Sequence, residues 1–170
     1  MTRRVWTVLV AALIVNAMLI GATWDQTIKQ LPARQVIGVE AFSAYSQAAD
    51  LRNGVAWYAT LGIAAALLAL AAALLALVSR PRPTGTRRAM LVVAALATAG
   101  HMAVTASAAP LNFSQRDHTA DVDALTRTFD QFAQLNLLRA VLQTLVVAAL
   151  AWILLARHHP ATPETESTRP

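Results

Sequence analysis

The sequence predicts an all-α fold: a four-transmembrane-helix bundle with a short amphipathic outer helix between the first and second spans. Three observations lead there. Of 170 residues, 56% are hydrophobic and 14% charged, a balance that belongs with membrane proteins rather than soluble domains. The apolar residues gather into four runs, 5–24, 55–78, 89–110 and 135–156, each reaching the roughly 20 residues that cross a bilayer. Most arginines stand at the ends of those runs and not in one patch, so the net charge of +5 reads as membrane orientation and not as a nucleic-acid surface. Residues 1–156 are expected to form one domain, with the lipid bilayer as its first partner.

The first run, Val5 to Trp24, follows Arg3 and Arg4 as the core of a secretion signal does. Its length exceeds the about 7–15 apolar residues of such a signal, and Ile20 suits a small-residue cleavage rule badly, so it is expected to stay as a helix. Beyond it, in ARQVIGVEAFSAYSQAADLR (33–52), Ile37, Ala41, Ala44, Tyr45 and Ala48 share a stripe with Phe42 on its flank, opposite Glu40, Ser43, Gln47 and Asp50. That spacing predicts the short helix, lying across the outer mouth of the bundle or on the membrane interface.

The second run copies AAALLAL from 64–70 into 71–77. Recurring alanines let another backbone approach closely, which makes this face the candidate seam for a homo-oligomer or a partner protein. The link RPRPTGTRR (80–88) carries four arginines; with Arg3, Arg4 and Arg157 it marks the cytoplasmic side, both termini included. The connections 24–54 and 111–134 then face outward, the latter with Asp117, Asp121, Asp123 and Asp130. Trp6, Trp24, Trp57 and Trp152 fall near span ends, where indoles settle at headgroup level. Alanine and arginine usage points to a bacterial plasma (inner) membrane. Residues 157–170 read as a disordered cytoplasmic tail, with His158 and His159 solvated.

Polar residues inside the runs are the candidates for chemistry. Counted from each helix midpoint at about 1.5 Å per residue, Asn16, His101 and Gln143 fall within about 4 Å of the centre and Arg139 about 10 Å to the outer side. Tyr58 enters the same half. Phe129, Phe132, Asn136, Arg139 and Gln143 follow spacings of three and four, so they line one helix face. An arginine facing lipid costs roughly 2.5–3.5 kcal/mol, so that face is expected to turn inward, toward a pocket for a small apolar or aromatic molecule. His101 and Arg139, with Asn136, are the candidate catalytic residues; Asn16, Tyr58, Phe132 and Gln143 are candidate ligand contacts. Structural alternatives stand beside them. Asn16 and Gln143 suit interhelical hydrogen bonds, His101 suits a neutral imidazole bonded to Asn16, and Arg139 suits an ion pair with Asp50 or Asp130.

The absence of cysteine excludes disulfides, thiolate nucleophiles and iron–sulfur ligation. A second intramembrane histidine for haem is lacking, as is any carboxylate within a run for a metal site or proton-coupled export. His118 with Asp117, Asp121 and Asp123 has no recognised ligand spacing. No metal and no cofactor are expected.

Leu31-Pro32 after the first helix, an amphipathic outer segment, Pro110-Leu111-Asn112 leaving the third, and aromatics before Asn136-x-x-Arg139 in the fourth together resemble the anthrone oxygenase-like family of small four-helix membrane proteins, over about residues 5–156. The resemblance implies oxygenation of a phenolic or polycyclic substrate without metal or flavin. It also places Asn112, Asn136 and Arg139 near the outer mouth, which adds Asn112 to the candidate ligand contacts. In such a reaction His101 is the expected base, and Arg139 with Asn136 the expected stabilisers of an enolate or phenolate. The non-enzymatic alternative is a membrane bundle acting as a partner or accessory subunit.

Overall fold

Alanine and leucine are strong helix formers, and the runs rich in them are helical throughout. The structure, a computed structural model, describes residues 2–80, 82–119 and 121–156; the expected tail, with His158 and His159, lies outside the described residues. Helix α1 (Arg3–Asp25) leads through a π-helical turn (Gln26–Gln30) into α2 (Leu31–Ile37). Pro32 has no N–H for the carbonyl four residues back, and its ring crowds that carbonyl. The widened turn just before it accommodates both effects without breaking the helix. Gly38 breaks it instead, at φ 86°, a conformation that glycine adopts without strain. Then come α3 (Val39–Ala49), α4 (Asn53–Val78), α5 (Gly85–Ser114), a 3-10 turn (Gln115–His118) and α6 (Val122–Leu155).

Four stretches are long and apolar enough to cross a membrane: Arg3–Ile37, Asn53–Val78, Gly85–His118 and Val122–Leu155. Besides the continuation of the first helix past residue 24, two boundaries differ from expectation. Helix α5 passes through Pro110 to Ser114, because a proline costs its helix one hydrogen bond without forcing an end when the surrounding turns are packed. Helix α6 starts at Val122, well before residue 135. Asp121 caps it by accepting the Ala124 N–H at 2.8 Å, and Leu125, Phe129 and Phe132 bury its first turns. Most of the acidic connection is therefore helix.

The long helices form a ring in which α1 packs on α4 and α6, and α5 packs on α6 and α4. The α5–α6 seam is the most extensive and the α4–α5 seam the slightest. Between them, toward the 79–84 link, Leu9, Ala12, Leu91, Ala94, Val146 and Leu150 fill a dry core. The alanine face of α4 is used here: Ala65, Ala69, Ala72 and Ala76 are buried, while Leu67 and Leu74 are each 63% exposed. The close backbone approach that alanine permits is thus used within the chain, where α4 packs on α1 and α5.

Helix α3 turns its serines toward the bundle. Its buried residues are Phe42, Ser43 and Ser46, while Ile37 and Tyr45 lie about half exposed. The serines are drawn inward by hydrogen bonds to Gln115, so the apolar stripe turns outward. Phe42, on its flank, is the anchor, meeting Phe129 edge-on with ring centroids 5.0 Å apart.

Replacing Ala72, fully buried, with Leu is expected to overpack the α1–α4 seam and destabilise the fold by about 1–3 kcal/mol. Leu74→Ala on the opposite face should change stability by less than about 0.5 kcal/mol. Denaturant unfolding of the purified protein in detergent, followed by circular dichroism, separates the two.

Candidate functional site

An apolar ring of helices has few ways to satisfy a buried amide, and the polar residues sort into two levels by how they are satisfied. At the deeper level Asn16 donates from Nδ2 to the carbonyls of Ala12 (2.8 Å) and Ala65 (3.1 Å). Its Oδ1 accepts from Gln143 Nε2 at 2.6 Å. Both side chains are almost wholly buried, and the pair ties α1, α4 and α6 together. Neither is on the wall of the cavity described below; they make the interhelical hydrogen bonds that were the structural alternative for them.

His101 is also buried, but its partner is not Asn16. Its Nδ1 lies 3.4 Å from the backbone carbonyl of Arg139, a long contact that requires the proton on Nδ1. The Thr105 hydroxyl donates to the His101 carbonyl, so Thr105 stands one turn above it on α5. Thr105 reaches the cavity described next, whereas His101 is not on its wall. The residue expected as the base therefore lies behind the site, against the backbone of the arginine.

Above this level is a cavity of about 190 Å³ between the π turn, the start of α4, the end of α5 and α6. Its apolar wall is built by Leu51, Val55, Ala59, Ala109, Phe113 and Phe132, and its polar wall by Gln26, Asp50, Tyr58, Thr105, Asn112 and Arg139. Four of the expected residues, Tyr58, Asn112, Phe132 and Arg139, thus meet around one space. Among all the lining residues only Ala59 and Phe113 are exposed, one on α4 and one on α5. The exposed part of the lining is thus apolar and stands on the two helices whose seam is the slightest of the ring.

Arg139 is held from one side. Asn136 Oδ1 accepts from its Nη1 at 3.2 Å, while Asn136 Nδ2 donates to Thr27 Oγ1 at 2.8 Å. Asn136 is fully buried and outside the cavity, so it positions the guanidinium and fastens α6 to the π turn. Neither expected ion pair forms. Asp130 pairs with Arg34 at 2.7 Å, and Asp50 accepts from the Ser46 hydroxyl at 3.1 Å. Arg139 Nε is buried without a hydrogen-bond partner, although an unsatisfied buried donor costs about 1–3 kcal/mol, more when charged.

Gln26, Asp50 and Thr105 were not read as lining residues. Gln26 follows from the helix continuing beyond its expected end, one turn past Thr23, a continuation that Pro32 concealed. Asp50 reaches the cavity because the polar face of α3 turns inward. Its carboxyl is raised above its ordinary value by burial, partly opposed by the Ser46 hydrogen bond. Ser43, Ser46, Asn112 and Gln115 form the network behind it, with Gln115 Nε2 donating to Ser46 Oγ at 3.2 Å and to Asn112 Oδ1 at 2.8 Å. Arg116 closes this end by donating to the Leu51 carbonyl at 2.8 Å. Among the described residues no group of three or more His, Asp or Glu side chains is placed to hold a metal ion.

Compared with protein-family models, curated proteins and solved structures, the chain matches none.

Two outcomes are expected from these contacts. Gln143→Leu strands Asn16 Oδ1 and should cost about 1–2 kcal/mol of stability, the range of interhelical hydrogen bonds, measured by unfolding in detergent. The Asp50 carboxyl is raised in the fold, so it holds its proton more tightly there than in the unfolded chain. Its contribution to stability is complete below the ordinary value near 3.8 and is lost as pH rises through the raised value. Thermal unfolding across this range should show wild type losing stability relative to Asp50→Asn as pH increases.

Proposed function

We propose that the protein is an integral membrane protein that takes a small, flat, largely apolar molecule into the α4–α5 mouth and holds one of its oxygens at Arg139. The buried, unpartnered Nε of Arg139 beside a mainly apolar cavity is the observation that carries this reading. A guanidinium with free donors in such surroundings is complementary to a phenolate, enolate or carbonyl oxygen, and its bonds to such a group gain strength where water is scarce. Size agrees. A dry cavity of about 150 Å³ accepts benzene, so about 190 Å³ takes one or two fused rings, with a third extending through the mouth.

The distribution of arginines favours an orientation with both termini and the link between α4 and α5 on the cytoplasmic side of a bacterial plasma membrane, and the cavity in the outer half. Short helix α3, with its apolar stripe outward, then lies at the outer interface. A mouth flanked by Ala59 and Phe113 suits a ligand that partitions into lipid and arrives sideways.

The resemblance to the anthrone oxygenase-like family extends this to a reaction: cofactor-independent oxygenation of an anthrone-type substrate, in which Arg139 stabilises the substrate anion that meets oxygen. A carboxylate and a guanidinium on one cavity wall, without an ion pair between them, favour that reading over a purely architectural role.

Purified protein in detergent should bind 2-naphthol, read by the ligand's fluorescence. Arg139→Gln is expected to weaken binding about tenfold or more, since a hydrogen bond to a charged group contributes about 1.5–3 kcal/mol. Ala59→Trp should close the mouth and slow association. Conversion of anthrone to anthraquinone under air tests the reaction. Unchanged binding in both variants would end the ligand reading.

A further inference from the structure

Two charged groups share the cavity wall, and neither is in an ion pair. Arg139 is held by Asn136 alone among side chains, with Nε unused. Asp50 has the Ser46 hydroxyl and no cation within ion-pair distance: the ion pairs among the described residues are Lys29–Asp25 and Arg34–Asp130. The expected base, His101, is off the wall with Nδ1 engaged on a backbone carbonyl. The cavity thus presents a carboxylate and a guanidinium to the same enclosed volume, separated by the space a ligand would fill.

We infer that Asp50 is the proton acceptor of this site, and that its substrates are ketones carrying an acidic hydrogen on the carbon next to the carbonyl. The inference rests on the ligand reading above, with the carbonyl oxygen on Arg139. In the step, the C–H bond breaks and its proton passes to the Asp50 carboxylate. The electron pair moves into a C=C bond while the carbonyl π pair moves onto oxygen, giving an enolate paired with the guanidinium. Return of the proton, or of a deuteron from solvent, reverses it. No oxidant enters the step; an electron-rich enolate is the species that reacts onward with oxygen where the substrate allows.

Physical chemistry suits Asp50 to this. Burial raises its carboxyl above the ordinary value, and a stronger conjugate base removes a carbon-bound proton faster. The Ser46 bond orients it, and Ser46 is itself fixed by Gln115. The other charged or titratable groups that face it are Tyr58 on α4 and Arg139 on α6, with Arg116 tied to the neighbouring Leu51 carbonyl.

The test uses the full chain in detergent with 2-tetralone in deuterium oxide, following loss of the proton signals next to the carbonyl by NMR, with binding measured in parallel. Wild type should exchange at least tenfold faster than buffer, with a rate that rises with pH and levels off above the raised Asp50 value. Asp50→Asn should bind the ketone within about threefold of wild type and exchange at the buffer rate. Formate added to Asp50→Ala should restore exchange, a readout that a merely structural carboxylate would not produce. Wild type that binds without exchanging, or Asp50→Asn that exchanges like wild type, overturns the inference and leaves the ligand reading standing. Wild type that neither binds nor exchanges overturns both.

Discussion

The hydrogen bond from Gln143 to Asn16, continued to the Ala65 carbonyl, is the constraint on which the arrangement of the long helices depends. In an apolar ring a buried amide left unpaired is expensive, so this chain of donors and acceptors fixes the rotation of α6 relative to α1 and α4. Once Gln143 faces inward, helical periodicity turns Arg139 and Asn136 inward too, one and two turns along the same face. The site is thus a consequence of a structural bond made deeper in the protein.

The outer end is organised by the same requirement. Asn136 finds Thr27 only because α1 continues through the π turn past its expected end. Gln115 draws the serines of α3 inward only because α5 continues through Pro110 into the 3-10 turn. Both continuations pass prolines, and both deliver polar groups to the wall of the cavity. Opposite them the α4–α5 seam is thinnest, and the exposed lining residues, Ala59 and Phe113, stand on those two helices.

Arg139 and Asp50 are the costs of this construction. A guanidinium with one side-chain partner and a carboxylate with only a hydroxyl are poorly compensated where they stand. Polar groups kept apart at such cost, facing a common space, are characteristic of sites whose missing partner is a ligand.

How much of this was legible follows from distance along the chain. The four long helices were readable from the length of the apolar runs, and the inward face of α6 from spacings of three and four among Phe132, Asn136, Arg139 and Gln143, because both are local properties of a helix. Four of the expected residues, Tyr58, Asn112, Phe132 and Arg139, do meet around one cavity. What the tertiary structure alone decided depends on partners far away in sequence. Ser43 and Ser46 turned inward for Gln115, about 70 residues on, against their own apolar stripe. The α4 alanines packed within the chain, and His101 went behind the site while Asp50 entered it. Periodicity assigns residues to a face, but which face is buried is set by the hydrogen-bond partners and neighbouring helices waiting there.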